Sequence, residues 1–378
     1  MKKLNIYFLF FAIISLVACR TDEEVIPMEV VEGLTPNENN PIKGFYVLNE
    51  GNMGSNKCTL DYFDYTKGNY YRNIYAEINP EVVKELGDVG NDIKIYGSKL
   101  YIVVNVSNKI EVLDAKTAKR IKSIQLQNCR YLTFKDGKAY ASSYAGPVDI
   151  NPGAPKGKVV EIDTTSLAVK REVTVGYQPE ELEIVGNQLF VANSGGYMVP
   201  NYDRTVSVID LNTFTEKKKI DVAINLHRLK KDNYGDLYVS SRGDYYDVPS
   251  NLYLIDAATG NIKKTFNIAV SEMTIVNDKL YYYGNEFNYN THSYKKTFGI
   301  IDVKTEQVIA NKIIDSDYET IIKTPYGIAV NPITEDIYIT DARNYVSMGF
   351  VYCFDKNGHF KWKTEGGNIP AHFAFLYK

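Results

Sequence analysis

Val206-Ser-Val-Ile-Asp210, Leu252-Tyr-Leu-Ile-Asp256 and Phe298-Gly-Ile-Ile-Asp302 are three copies of one pattern, a short apolar run closed by an aspartate. The aspartate recurs at Asp64, Asp114, Asp163, Asp210, Asp256, Asp302 and Asp355, with gaps of 50, 49, 47, 46, 46 and 53 residues. A near-constant period of this length is what one four-stranded unit repeated around an axis produces. Seven units make the expected fold an all-β, seven-bladed β-propeller of four-stranded blades. An α-solenoid or a pair of β-sandwiches would need other periods.

Working outward from Asp210, the fourth unit reads as strands over 181–185, 188–193, 205–210 and 216–222, with Gly186-Asn187 as a tight turn. Equivalents of its second strand are Leu100-Tyr-Ile-Val-Val, Leu237-Tyr-Val-Ser, Leu280-Tyr-Tyr-Tyr and Ile337-Tyr-Ile-Thr, rich in the residues that suit a pleated surface. Helical periodicity is nearly absent, and residues 80–86 are the one plausible helical turn. At the N-terminal end only three strands are legible, over 44–50, 57–64 and 69–78. Residues 371–378, after Ile369-Pro370, resemble the innermost strand of the other units and lack partners of their own. They are therefore expected to complete the first blade and close the ring, leaving no open edge.

The first residues concern location. Met1, Lys2 and Lys3 precede an apolar run over 4–18 too short to span a bilayer, which ends in Leu16-Val-Ala-Cys19. This resembles the lipobox of a bacterial lipoprotein: residues 1–18 a signal peptide, Cys19 the lipid-modified N-terminus. Asp22, Glu23 and Glu24 resemble the surface-export signal of gut Bacteroidota lipoproteins. Residues 19–41, with Pro27, Pro36 and Pro41 among scattered acids, suit a flexible tether. The folded domain is then expected over 42–378, at the outer surface of the outer membrane, attached by lipid alone. A formal net charge of −3, with both signs interspersed, gives no basic field for nucleic acid. Cys58, Cys129 and Cys353 include no CxxC pair and read as buried apolar residues, so neither a disulfide framework nor a metal site is expected.

Strand order locates the functional face. In an antiparallel four-stranded blade, the connection from strand two to three shares one side with the link to the next blade. On this side the connections 49–56, 142–158, 193–204, 240–250, 284–296 and 341–348 are long and varied, whereas those opposite are short. Long loops on a rigid scaffold are where binding usually resides. They carry Asn52, Tyr144, Tyr197, Arg204, Arg242, Tyr246, Tyr289, Arg343 and Tyr345. The links that start each innermost strand add Asn91, Arg130, Gln178, His227, Tyr326 and His372 around the channel mouth. Flat aromatic surfaces with polar tips, planar guanidinium forks and paired amide donors and acceptors suit a bulky, mostly neutral ligand studded with amides or hydroxyls. No HExxH, GxSxG or other nucleophile-and-base pattern occurs, so a binding protein, not an enzyme, is expected. Gly51-Asn-Met-Gly54-Ser-Asn-Lys57 lacks the GK[ST] ending of a phosphate loop and reads as a binding loop.

Asn49-Glu-Gly-Asn-Met-Gly-Ser-Asn56 followed by Cys58-Thr-Leu-Asp-Tyr62, then Tyr177-Gln-Pro-Glu180, Ala192-Asn-Ser-Gly-Gly196 and Asn201-Tyr-Asp-Arg204, resembles the BtuG-type surface lipoproteins, within the wider YncE-like propellers. The similarity runs from about Gly44 to Tyr377. The resemblance implies capture of cobalamin (vitamin B12) or related corrinoids as a transported ligand, not a cofactor. It further implies delivery to a BtuB-type TonB-dependent outer-membrane transporter. Two other classes stay open. A glycan-binding propeller would also use tyrosine platforms, and a metal-dependent propeller hydrolase or lactonase would use axial acids such as Asp88 and Glu272.

Overall fold

The third strand of the second blade, Lys109–Asp114, buries its four central residues and half-exposes its ends, because a propeller blade has a neighbour on both faces. Strands covered on both faces read as apolar runs more than as alternation. The aspartate that closes them has a local task. Asp114 Oδ1 accepts the Lys116 and Thr117 N–H groups at 3.0 and 2.9 Å, and Asp210 Oδ1 those of Asn212 and Thr213 at 2.9 and 3.0 Å. Such side chain-to-backbone bonding two and three residues ahead is an Asx turn. The Thr213 N–H, with its companions, also holds the Asp210 carboxyl below its ordinary range. The sequence period is thus the period of the turn from third to fourth strand.

The computed structural model describes residues 27–38, 40–82, 86–147, 150 and 153–378. Six antiparallel four-stranded sheets span 90–125, 129–174, 179–221, 226–265, 272–310 and 325–368, forming blades two to seven. The first strands of successive blades pack on one another around the axis. Blade one contains β1 (Glu29–Val31), β2 (Ile42–Asn49), β3 (Thr59–Asp64) and β4 (Asn69–Arg72), in the order β1-β4-β3-β2 followed by the C-terminal strand Pro370–Tyr377. The expected seven-bladed propeller, closed by its C-terminal strand, is what the structure shows. At the seam, Phe45 packs on Phe63, Tyr338, Phe373 and Phe375 with ring centroids 4.7–5.8 Å apart.

Four local expectations are corrected. Ordered structure starts before Ile42, because β1 lies outside β4 as a fifth strand. The expected strand over 69–78 is a strand to Arg72 and then a helix, Ile74–Ile78, the break falling at Asn73 with φ of 50°. A second helix is Ser316–Ile321, whereas the described part of 80–86 holds none. The supposed loop 284–296 is mostly hairpin: Lys279–Asn288 and Ser293–Asp302 pair out to Asn288 and Ser293. The leader, Cys19 and the acidic residues 22–24 lie outside the described residues. Among the described residues no helix is long and apolar enough to cross a membrane.

One buried carboxylate supports the seam. Asp61 on β3 accepts the Asn73 N–H at 2.8 Å and the Tyr70 hydroxyl at 2.9 Å. Burial outweighs these bonds and pushes its pKa up to about 6 from an ordinary 3.8. A carboxyl raised on folding favours the native state below its unfolded pKa, and that contribution is lost as pH rises through the folded value. Asp61→Asn keeps an acceptor for the Asn73 N–H and removes the buried charge. Its stability relative to wild type is expected to be near zero at pH 4 and to grow to about 2–3 kcal/mol by pH 7.5. Thermal melts at the two pH values test this, and a pH-independent difference would rule out the assigned titration.

Candidate functional site

The long connections and the inter-blade links meet around a basin on one end of the propeller. Its larger part, about 600 Å³, is lined by Arg130, Tyr144, Tyr197, Tyr202, Arg242, Tyr246 and Tyr289 among others. The smaller part, about 300 Å³, is lined by His227, Arg228, Arg242, Tyr283, Phe287, Tyr326 and Tyr345 among others. Arg242 and Tyr245 border both parts, so the two make one depression.

Its floor is built on Glu180, at the start of the fourth blade's first strand. Arg130 donates to Glu180 Oε2 from Nη2 at 3.0 Å and Nε at 3.1 Å. The Tyr144 hydroxyl donates to Oε1 at 2.6 Å, and Arg242 Nη1 reaches the same oxygen at 3.3 Å. Burial alone would raise the Glu180 pKa, but Arg130 and Arg242 hold it below the ordinary range. Arg130 also lies 4.9 Å over the Tyr144 ring, a cation–π contact. Two guanidiniums share one carboxylate. Arg242, with its side chain 27% exposed, contacts Glu180 through Nη1 alone of its three guanidinium nitrogens.

The walls are aromatic. Tyr246 and Tyr289 stack at 5.1 Å and 23°, each about half exposed, and Phe287 meets Tyr289 edge-on at 4.9 Å. Asn225 and Asn285 each keep a buried side-chain oxygen without a partner among the described residues, one in the wall of each part. Toward the axis, His227 Nε2 meets the Tyr131 hydroxyl at 3.2 Å. Burial first, then Arg242, Arg228 and Arg130, push the His227 pKa well below its ordinary value, so the ring is neutral at physiological pH. Arg228 pairs with Glu272 at 2.5 Å beneath it, and Glu50 accepts the Tyr326 hydroxyl at 2.7 Å and contacts His372 Nε2 at 2.9 Å.

Of the residues singled out in the sequence, Arg130, Tyr144, Tyr197, Arg242, Tyr246 and Tyr289 meet in the larger part, and His227, Tyr326 and Tyr345 in the smaller. His372 instead borders a cavity of about 260 Å³ on the far side of the Arg228–Glu272 pair. Asn52, Asn91, Gln178, Arg204 and Arg343 line neither part of the basin. Asn91 donates to the Arg130 carbonyl at 2.8 Å, and Gln178 Oε1 accepts the Tyr197 N–H at 2.7 Å, so both support neighbours that do line it. Arg204 pairs with Asp221 at 2.5 Å on the outer side of the blade. Arg343 donates to the Met348 carbonyl at 3.2 Å and lies 5.2 Å over Phe350. The Asn52 carbonyl accepts the Ser55 N–H at 2.9 Å within its own turn.

The loop face read from the sequence also holds Tyr202, Tyr245 and Phe287, and the channel-mouth links hold Glu180; the structure makes Glu180 the organiser and the other three part of the lining, and adds Tyr283, which reads from the sequence only as a strand residue. Their residue types were visible; their direction was not. The axial acids weighed for a hydrolase are engaged, Glu272 by Arg228 and Asp88 by the Gly54 N–H at 2.8 Å. Among the described residues no group of three or more histidines, cysteines or carboxylates is placed to hold a metal ion.

A family model described as a Domain of unknown function, DUF5074, matches residues 43–375, the whole ring but for its outermost residues. The chain belongs to the DUF5074 family. A search of the curated proteins finds no match. Among solved structures, this DUF5074 chain is similar to a quinonprotein alcohol dehydrogenase-like protein from Bacteroides thetaiotaomicron. That pair is 15% identical with a TM-score of 0.60, over 89% of this chain and 79% of the other. It is also similar to Kuenenia stuttgartiensis hydrazine synthase, 16% identical with a TM-score of 0.55, over 71% of this chain and 77% of the other. The WD40 domain of Neurospora crassa Pan2 follows at 13% identity and 0.51, over 76% and 79%. Identities this low speak for the shared propeller fold and not for activity.

Proposed function

We propose that this DUF5074 protein is a lipid-anchored, cell-surface binding protein that captures cobalamin or a related corrinoid and passes it, chemically unchanged, to a TonB-dependent outer-membrane transporter. The observation that carries the reading is the basin itself. A wide depression floored by Arg130, Glu180 and Arg242 and walled by tyrosines suits a ligand that is large, flat in part, rich in carboxamides and singly anionic. Corrinoids combine a flat macrocycle, several carboxamides and one phosphodiester. The tyrosine faces cover the macrocycle, and Arg242 offers donors for the phosphodiester. The resemblance of Asn49-Glu-Gly-Asn-Met-Gly-Ser-Asn56 to the BtuG-type lipoproteins supports the same ligand, and Leu16-Val-Ala-Cys19 supports the anchor.

The stacked and exposed Tyr246–Tyr289 pair favours a second reading, a glycan-binding surface protein, since sugar rings also lie on such platforms. Absorbance of the protein after mixing with cobalamin and desalting separates the two. A retained corrinoid spectrum supports capture; no retention, together with calorimetric binding of an oligosaccharide, would favour the glycan. Tyr289→Ala removes the ring shared by Tyr245, Tyr246 and Phe287, and is expected to weaken cobalamin binding by about 2 kcal/mol, roughly thirtyfold. Lys218→Ala, on an outer strand where the ammonium meets the Thr259 carbonyl, should leave the affinity unchanged.

A further inference from the structure

Strand β1 has a direction, and this decides where the preceding chain leaves the propeller. β4 runs from the turn after Asp64 toward the face that carries the basin. β1 pairs antiparallel to it, with Glu29 opposite Arg72, Val30 opposite Tyr71 and Val31 opposite Tyr70. Glu29 therefore sits at the basin end of the blade and Val31 points toward the opposite end, from which the chain returns into β2. The return path is pinned by the Leu34 N–H on the Gly68 carbonyl at 2.9 Å and the Asn37 N–H on the Tyr65 carbonyl at 2.6 Å.

Two further observations agree. Arg72, with its side chain 12% exposed, pairs with Glu29 and with Glu365 of blade seven at 3.1 Å, tying the start of β1 across the seam. Pro27 and Glu29 border a small cleft with Thr59, Met348 and Asn368, all at the basin ends of their strands.

We infer that β1 is a strap that sets the exit of the N-terminal segment at the basin face, so that a protein anchored through Cys19 carries its basin toward the lipid surface. The inference rests on the lipid-anchor part of the reading above. From Cys19 to Pro27 are eight residue steps, which span at most about 30 Å even fully extended. Turning the basin outward would require this segment to run back past a six-residue strand, about 20 Å, and the turns beyond it before reaching lipid. Little length is left for that path. Without the strap, the segment would start near Ile42 at the opposite end of the blade, and the preference would reverse or vanish.

The test uses full-length lipidated protein in phosphatidylcholine vesicles that contain a headgroup-labelled energy acceptor. Cys58, Cys129 and Cys353 are buried, so a donor dye goes to an introduced cysteine. Val346→Cys places it on the basin face and Asn357→Cys on the opposite face. Transfer is expected to be several-fold stronger from position 346. The triple substitution Glu29→Gly, Val30→Ser, Val31→Gly keeps the chain length and should bring the two signals together without loss of vesicle binding. Equal transfer in the unsubstituted strap, stronger transfer from position 357, or an asymmetry that survives the triple substitution would overturn the proposal. Cys19→Ser protein that still binds vesicles would overturn the anchor reading itself, a separate outcome.

Discussion

Deleting residues 370–378 is expected to abolish cooperative folding of the propeller. The C-terminal strand pairs with β2 from Ile42–Tyr377 to Asn49–Pro370. Its loss would bare Phe45, Val47 and Leu48, which are fully buried, and leave a row of unpaired backbone groups on β2. Each large apolar side chain returned to water costs about 1.5–3 kcal/mol. Phe45, Val47, Leu48 and the lost partner Leu376 alone come to about 6–12 kcal/mol, within the 5–15 kcal/mol typical of a whole domain. The Thr340 hydroxyl bond to the Pro370 carbonyl at 2.6 Å and the His372–Glu50 contact go with it. Calorimetry is the measurement. A thermal midpoint within a couple of degrees of the intact chain would refute the closing role of this strand.

Glu180→Ala is expected to be the most damaging single substitution in the basin. It strands the Arg130 guanidinium, 14% exposed, without its carboxylate, and breaking a buried ion pair in this way typically costs 3–5 kcal/mol. Tyr144 loses its acceptor at the same time, so under the proposed function cobalamin binding should be lost along with stability. Glu180→Gln separates charge from shape. Because Arg130 and Arg242 depress the Glu180 pKa, its ionised form stabilises the native state above the ordinary glutamate range, and that contribution is lost as pH falls through the lower folded value. The stability gap between wild type and Glu180→Gln should therefore be widest at neutral pH and narrow below about pH 4. Denaturant titrations at pH 7 and pH 3.5 read this directly; a gap that does not narrow would mean that the charge on Glu180 is not what holds the floor.

The contrast between Arg204 and Arg242 shows how far the sequence reaches. Both are arginines on long connections of the same face, and nothing in either neighbourhood distinguishes them by type. Arg204 immediately precedes its strand and meets Asp221 on the adjacent outer strand, whereas Arg242 follows its strand directly and meets Glu180 on the first strand of the preceding blade. That difference belongs to blade-to-blade packing. Phe287 reads as a loop residue for another reason: Gly284-Asn285 and Asn288-Tyr-Asn290 have loop composition, and only pairing with residues 293–297 makes them a hairpin wall. β1 escaped notice because three residues among prolines and acids carry too short a pattern to read.

By itself the sequence determined the repeat, the number of blades, the closing role of the last strand and the face with the long connections. Each of these is written in local chemistry, an Asx turn at every third-strand end and apolar runs that need cover, so spacing along the chain is enough. Only the tertiary structure decided that Glu180 gathers Arg130, Tyr144 and Arg242, that Gln178 and Asn91 are supports, and that the N-terminal segment leaves beside the basin. Most of those contacts join residues far apart in the chain, as in the 36 between Tyr144 and Glu180, the 50 between Arg130 and Glu180 and the 62 between Glu180 and Arg242. They depend on how neighbouring sheets converge on the axis, a distance that no run of residues encodes alone.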